Sequence, residues 1–248
     1  MKKDSDENAA RGASRREFVA TTAAAVGAVL TAASPAGAQE RAAAVPVRAE
    51  SFAQAHQPKP LPFNSASLSG LSQRLIDSHW SNNYSGSVRA LNETKRRLAE
   101  AFADRDLPAY IYNDLKREHA MRTGSVVLHE LYFENLGGNG RADAAAQRLL
   151  AAGFGEFARW EAEFRRVANG LGGGSGWVVL GYNDQFGTLE NYWMADHMHN
   201  PAATTPLLVM DMYEHSYHMD FGAAAGQYVD AFFNNIDWER VLARFEAL

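Results

Sequence analysis

The run Gly172-Gly173-Gly174-Ser175-Gly176 divides the sequence into two textures, and that change constrains the fold more than any other feature. Before it, apolar residues recur at helical spacing. Leu71, Leu75, Ile76, His79 and Trp80, then Val88, Leu91 and Leu98, describe a long helix beginning near Ser67, with Ser85-Gly86 as the place where it would bend. A second helix is expected from Gly124 to Leu136. It ends at Gly137-Gly138-Asn139-Gly140, because glycine gives up the most backbone freedom in a helix. Two further helical stretches, Ala142–Ala152 and Glu156–Leu171, are broken near Gly153. After the glycine run the pattern shortens. Trp177–Leu180, Leu189–Trp193 and Leu207–Met210 are apolar or aromatic runs bounded by turn residues, and they read as strands. Helices over Ala223–Asn235 and Trp238–Ala247 close the chain. Helices followed by strands and more helices predict an α+β fold with an all-helical first half.

The first residues read as an address and not as part of that fold. Lys2, Lys3, Arg11, Arg15 and Arg16 precede an alanine-rich apolar run from Phe18 to about Ala33, and Ala36-Gly37-Ala38 supplies the small-x-small pattern of a cleavage site. Ser14-Arg15-Arg16-Glu17-Phe18 resembles a twin-arginine export motif. Residues 1–38 are therefore expected to be an export signal, with the mature chain periplasmic and free of the membrane after cleavage. Residues 39–60 lack a sustained apolar period and are expected to form a flexible lead-in.

Composition narrows the chemistry. Among 248 residues there is no cysteine, so thiolate zinc sites, iron–sulfur clusters, disulfides and a thiol nucleophile are all excluded. Any metal must be held by His, Asp or Glu. A formal net charge of -5 gives no basic surface for neutralising phosphates, so no nucleic-acid partner is expected.

Of eight histidines, His56 lies in the lead-in and His119 in a charged stretch, and both read as surface residues. Asp211-Met-Tyr-Glu-His215 is more informative. Asp211 follows an apolar run and should sit at a strand end. His215, four residues on, should fall in the first turn of a helix. A carboxylate beside a neutral imidazole suits iron or manganese. On spacing alone, a helix-capping Asp and a core His fit this segment better than a metal pair does.

That segment closely resembles the Asp-x-Trp-Glu-His-Ala-Tyr signature of the iron/manganese superoxide dismutases. Other segments match in the same order along the chain. Leu61-Pro62-Phe63 resembles the family's opening Leu-Pro-Tyr/Phe. His79, with Val88 and Asn92 after it, falls where the first His ligand lies. His129-Glu-Leu-Tyr-Phe133 is similar to the segment carrying the second, Gly174-Ser-Gly-Trp177 to the Gly-Ser-Gly-Trp strand, and Ile236-Asp237-Trp238 to the closing Val-Asn-Trp. The resemblance spans about residues 61–248. It implies a helical hairpin over 61–138, then a segment over 139–248 with a three-stranded antiparallel sheet flanked by helices. It also implies one iron or manganese ion per subunit, held by His79, His129, Asp211 and His215.

The resemblance further implies that His197 takes the place of a Gln that hydrogen-bonds metal-bound solvent, with His199 the competing candidate. Glu214 would reach the partner's His215 across the two-fold axis of a homodimer. The implied activity is the conversion of superoxide to oxygen and hydrogen peroxide. Asn83 and Ser87 stand where family members usually have His and a gateway Tyr, and His218 stands in place of a Tyr. Phe133 and Tyr213 replace Trp. Those departures leave a second expectation open, a non-enzymatic periplasmic metal-binding protein on the same scaffold.

Overall fold

The computed structural model describes residues 50–248; the export segment and the first part of the lead-in lie outside the described residues. The first long helix is built in pieces. α1 (Gln73–Ser78) starts at Ser72, whose side chain accepts from the Leu75 N–H. A π-helical turn, His79–Tyr84, follows, and α2 (Ser85–Ala103) continues the same rod. The irregularity therefore falls just before the expected bend at Ser85-Gly86. In it the Ser85 N–H reaches back five residues to the Trp80 carbonyl. α3 (Ala109–Glu134) is far longer than the stretch read from the sequence. Its buried residues begin only at Gly124, so its first half carries no apolar stripe to betray it. Pro108 precedes the first turn, where its missing N–H costs nothing. α2 and α3 run antiparallel: Tyr84 meets Glu130 and Ser87 meets Ser125.

α4 (Ala144–Phe154) and α5 (Phe157–Leu171) lead to the sheet, close to their expected bounds. Strands β1 (Trp177–Asn183), β2 (Thr188–Met194) and β3 (Thr204–Asp211) are antiparallel in the order β2-β1-β3. The fold is thus the α+β arrangement expected. Asp211 ends β3 opposite Trp177, the first residue of the central strand. A 3-10 turn, Glu214–Ser216, and a single helical turn, α6 (His218–Phe221), follow, then α7 (Ala225–Phe233) and α8 (Trp238–Glu246). Trp160 and Phe164 of α5, Phe232 and Phe233 of α7 and Trp238 of α8 pack ring against ring in the core. Burying such rings supplies much of the driving force for this packing.

The end of the lead-in is not a loose tail. The His56 N–H donates to Asn92 Oδ1 (2.8 Å), and Asn92 Nδ2 donates back to the His56 carbonyl (2.9 Å). His56 is half-buried, with Nε2 2.9 Å from Lys95 Nζ, and so is not the plain surface residue expected.

β3 lies at the edge of the sheet, so its outward carbonyls need partners from elsewhere. Side chains provide them. Arg244 Nη1 donates to the Leu207 carbonyl (2.8 Å), Asn135 Nδ2 to Val209 (2.7 Å), and the Tyr228 hydroxyl to Asp211 (2.7 Å). Asn135, fully buried at the end of α3, also accepts from Arg244, locking helix to strand. Asn135→Ala should lower unfolding free energy by about 1–3 kcal/mol, because the Val209 carbonyl is left unpaired in the core. Urea unfolding should show a lower midpoint with an unchanged slope; an unmoved midpoint would mean the cross-link carries no stability.

Candidate metal centre

Four side chains from distant parts of the chain converge. His79 comes from the π turn, His129 from the inner half of α3, Asp211 from the end of β3, and His215 from the 3-10 turn after it. One donor atom from each lies within 4.8 Å of the others. Asp211 Oδ2 stands 3.1 Å from His79 Nε2, 3.2 Å from His215 Nε2 and 3.6 Å from His129 Nε2. Three of the four residues are buried, and the His215 side chain remains 26% exposed.

Local hydrogen bonds aim these groups. Asp211 Oδ1 accepts from the Tyr213 N–H (2.8 Å), which turns the chain out of the strand and leaves Oδ2 facing the histidines. Ser216 Oγ donates to the carbonyl of either Asp211 (3.0 Å) or Tyr213 (2.6 Å). This side-chain-stabilised turn is why His215 sits in a lone 3-10 turn and not in the first turn of a longer helix, as expected. His129 Nδ1 donates to the Ser125 carbonyl one helical turn back (2.7 Å), so its lone pair lies on Nε2.

The electrostatics agree with a set of neutral imidazoles around an anion. Burial pushes the His79 pKa down against the pull of Asp211, and burial with the neighbouring His79 pushes His129 down to about 3. Burial alone would raise Asp211, yet the charge of His215 and the contacts to His215 and His79 hold it well below the usual carboxylate range. His215 is the exception. Burial would lower it, but Asp211 outweighs that and raises it.

A metal fits these residues. His79 Nε2 and His129 Nε2 are buried and have no hydrogen-bond partner, although both are near Asp211 Oδ2. Buried polar atoms are rarely left this way, and two imidazole lone pairs beside a carboxylate are a donor set for a cation.

His197 lies on the β2–β3 connection and is brought to the cluster. Its ring stacks on Tyr213 (4.7 Å between centroids) and lies 6.0 Å from that of His129. The Trp177 Nε1–H donates to His197 Nδ1 (3.0 Å). Indole can only donate, so Nδ1 accepts and the neutral ring carries its proton on Nε2. Burial lowers the His197 pKa, favouring that neutral form. His199 instead pairs with Asp196 (2.8 Å) and is exposed. Glu214 is exposed, one residue before His215. Asn83 and Ser87 line the opening onto His129, His197 and His215, and His218 is exposed.

Several contributors escaped the sequence reading. Ser125 and Arg122 line the same opening, and Ser125 Oγ lies 2.8 Å from Ser87 Oγ. Gly124 was the available signal. A Cβ there would sit 1.8 Å from the His197 carbonyl oxygen, so only glycine lets the His197 loop rest on α3. An isolated glycine inside a helical pattern often marks such an approach.

This fold and this site define a metalloprotein with one buried His/Asp centre between a helical pair and a sheet. The family model for the C-terminal domain of iron/manganese superoxide dismutases matches residues 142–244. The chain is 48% identical over 192 residues to a superoxide dismutase [Fe] of Cupriavidus metallidurans, covering 77% of this chain and 97% of that protein. It is 36% identical to a superoxide dismutase [Fe] of Aquifex pyrophilus (72% of this chain, 86% of that one). Identity to a superoxide dismutase [Mn] of Mycolicibacterium smegmatis is 34% (71% and 86%). The chain belongs to the iron/manganese superoxide dismutase family.

Proposed function

We propose that the protein is a superoxide dismutase, converting superoxide to oxygen and hydrogen peroxide with one iron or manganese ion per subunit held by His79, His129, Asp211 and His215. The observation that carries this reading is the pair of buried, unpartnered imidazole nitrogens facing a buried carboxylate. When bound, the ion supplies a one-electron couple that takes an electron from one superoxide and returns it to another. The chain's own residues do the rest. Asp211 and the three imidazoles offset a trivalent charge only in part and set its potential. Forming peroxide consumes two protons, and His197, with its proton on Nε2 at the edge of the site, is the residue placed to donate at the opening.

Full chain lacking residues 1–38, purified and loaded with iron or manganese, should hold one ion per subunit and speed superoxide decay followed by its ultraviolet absorbance. His129→Ala should lose both. Stoichiometric metal without accelerated decay would favour the metal-binding protein without enzymatic activity.

The subunits are proposed to form a homodimer in which Glu214 meets the partner's His215. Support comes from the exposure of Glu214 beside a partly exposed ring whose Nε2 already faces Asp211. An isologous contact would use this pair twice. Glu214→Ala should weaken the dimer by about tenfold or more in sedimentation equilibrium, since a buried charged partner is lost twice. An unchanged dimer constant would remove Glu214 from the interface.

Residues 1–38 are proposed to direct export by the twin-arginine route to the periplasm, on the strength of the Arg15-Arg16 pair and the apolar run after it. Replacing both arginines by lysine should trap the chain in the cytoplasmic fraction. Periplasmic recovery at the unaltered level would exclude that route.

A further inference from the structure

We propose that Lys59 and Tyr84 act as a positioning clamp on the metal centre, holding the helix that carries His79 against the helix that carries His129; this rests on reading those two residues as ligands. Lys59 uses every polar group it has. Its carbonyl accepts from Trp80 Nε1 (2.9 Å), and its N–H donates to the Tyr84 hydroxyl (2.8 Å). Its Nζ lies 2.7 Å from Glu130 Oε2 and 3.4 Å from Glu134 Oε1. The Tyr84 hydroxyl in turn donates to Glu130 Oε1 (2.9 Å), which closes a ring of contacts between the two helices.

The places these contacts reach give the clamp its purpose. Trp80 directly follows His79, and Glu130 directly follows His129. Tyr84 closes the π turn that presents His79, is 1% exposed, and lays its ring 6.3 Å from the His129 ring and 6.1 Å from that of Phe133. Pro58 and Pro60 flank Lys59 and restrict the backbone that must enter the cleft, so little freedom is lost on docking. The Asn92–His56 pair of hydrogen bonds anchors the strap three residues earlier.

The Lys59 side chain is 59% exposed, so its ion pairs add little to global stability. The clamp acts on geometry and metal retention, and this separates it from an ordinary structural contact. Metal-loaded full chain lacking residues 1–38 would be mixed with excess chelator well below the melting temperature. Release of metal should be about tenfold faster in Lys59→Met and in Tyr84→Phe, as for other residues that orient a ligand through a neighbour. The visible absorption band of the bound metal should shift in both variants, and Lys59→Arg should restore both readouts. Arg165→Met, which removes a surface cation paired with Glu161 and Asp230 away from the site, serves as the control and should change neither.

Wild-type release rates and an unmoved band in Lys59→Met and Tyr84→Phe would overturn the clamp while leaving the ligand reading intact. Faster release that merely tracks lost thermal stability, in the control as in the variants, would also overturn it. A wild-type chain that takes up no iron or manganese would overturn the ligand reading itself, and the clamp with it.

Discussion

The structure depends on a carboxylate with no exposure to water. Removing an ion of that size from solvent costs several kcal/mol even after relaxation, and a single imidazole contact would not repay it. Asp211 is tolerated because positive or polarisable partners surround it: His79, His129 and His215 within 3.6 Å, and the Tyr213 N–H on the other oxygen. Hydrogen bonding alone leaves this arrangement incomplete, since three of the imidazole nitrogens, both of His79 and Nε2 of His129, find no donor or acceptor. The cluster is a rigid claim on a cation, and the fold is organised to sustain it.

That organisation is visible in the edge strand. Residues 207, 209 and 211 of β3 present outward carbonyls, and each is met by a side chain from a different helix: Arg244 of α8, Asn135 at the end of α3, and Tyr228 of α7. An edge that would otherwise invite pairing with another strand becomes the joint between the sheet and three helices. The joint ends at Asp211, so the residue most costly to bury is also the one held from most directions. On the helical side, His129 is fixed by its own helix through Ser125, and His79 by the wider π turn. Donors from the two halves reach one point because each half is braced separately.

The sequence showed the parts of this design that have periodic or motif signals. The three strands, the closing helices and the four converging residues were all readable, the last through the resemblance of Asp211-Met-Tyr-Glu-His215 and its companion segments to a known family. Spacing alone favoured a capping Asp and a core His. What the sequence hid has physical causes. The outer half of α3 has no fully buried residue before Gly124, so it carries no amphipathic stripe to read. A π turn differs from an α turn by one residue in hydrogen-bond span, which leaves no mark in composition. Lys59 looked like part of a polar, proline-rich lead-in because its role lies in backbone and side-chain bonds to residues 21 to 75 positions away. Trp177 was legible as a strand residue, but its indole bond to His197 depends on the β2–β3 connection folding back over Gly124.

An acidic chain that acts on an anion poses a problem of scale, and magnitudes resolve it. A net charge of -5, felt at about 25 Å in water, repels a unit anion by about 0.8 kcal/mol before screening. Physiological salt screens with a length of about 8 Å, which cuts that repulsion to a small fraction of thermal energy. At the opening the balance is local. Arg122 lines it beside Ser87 and Ser125, and although Glu118 pairs with Arg122 (2.6 Å), that pair is about one-third exposed and leaves only a dipole in the distant field. Over the last few ångströms an anion meets a guanidinium, two hydroxyls and an imidazole N–H, with Asp211 already shielded by its ring of histidines. With the long-range repulsion screened and Arg122 paired to Glu118 at the opening, the acidic composition does not oppose the proposed chemistry.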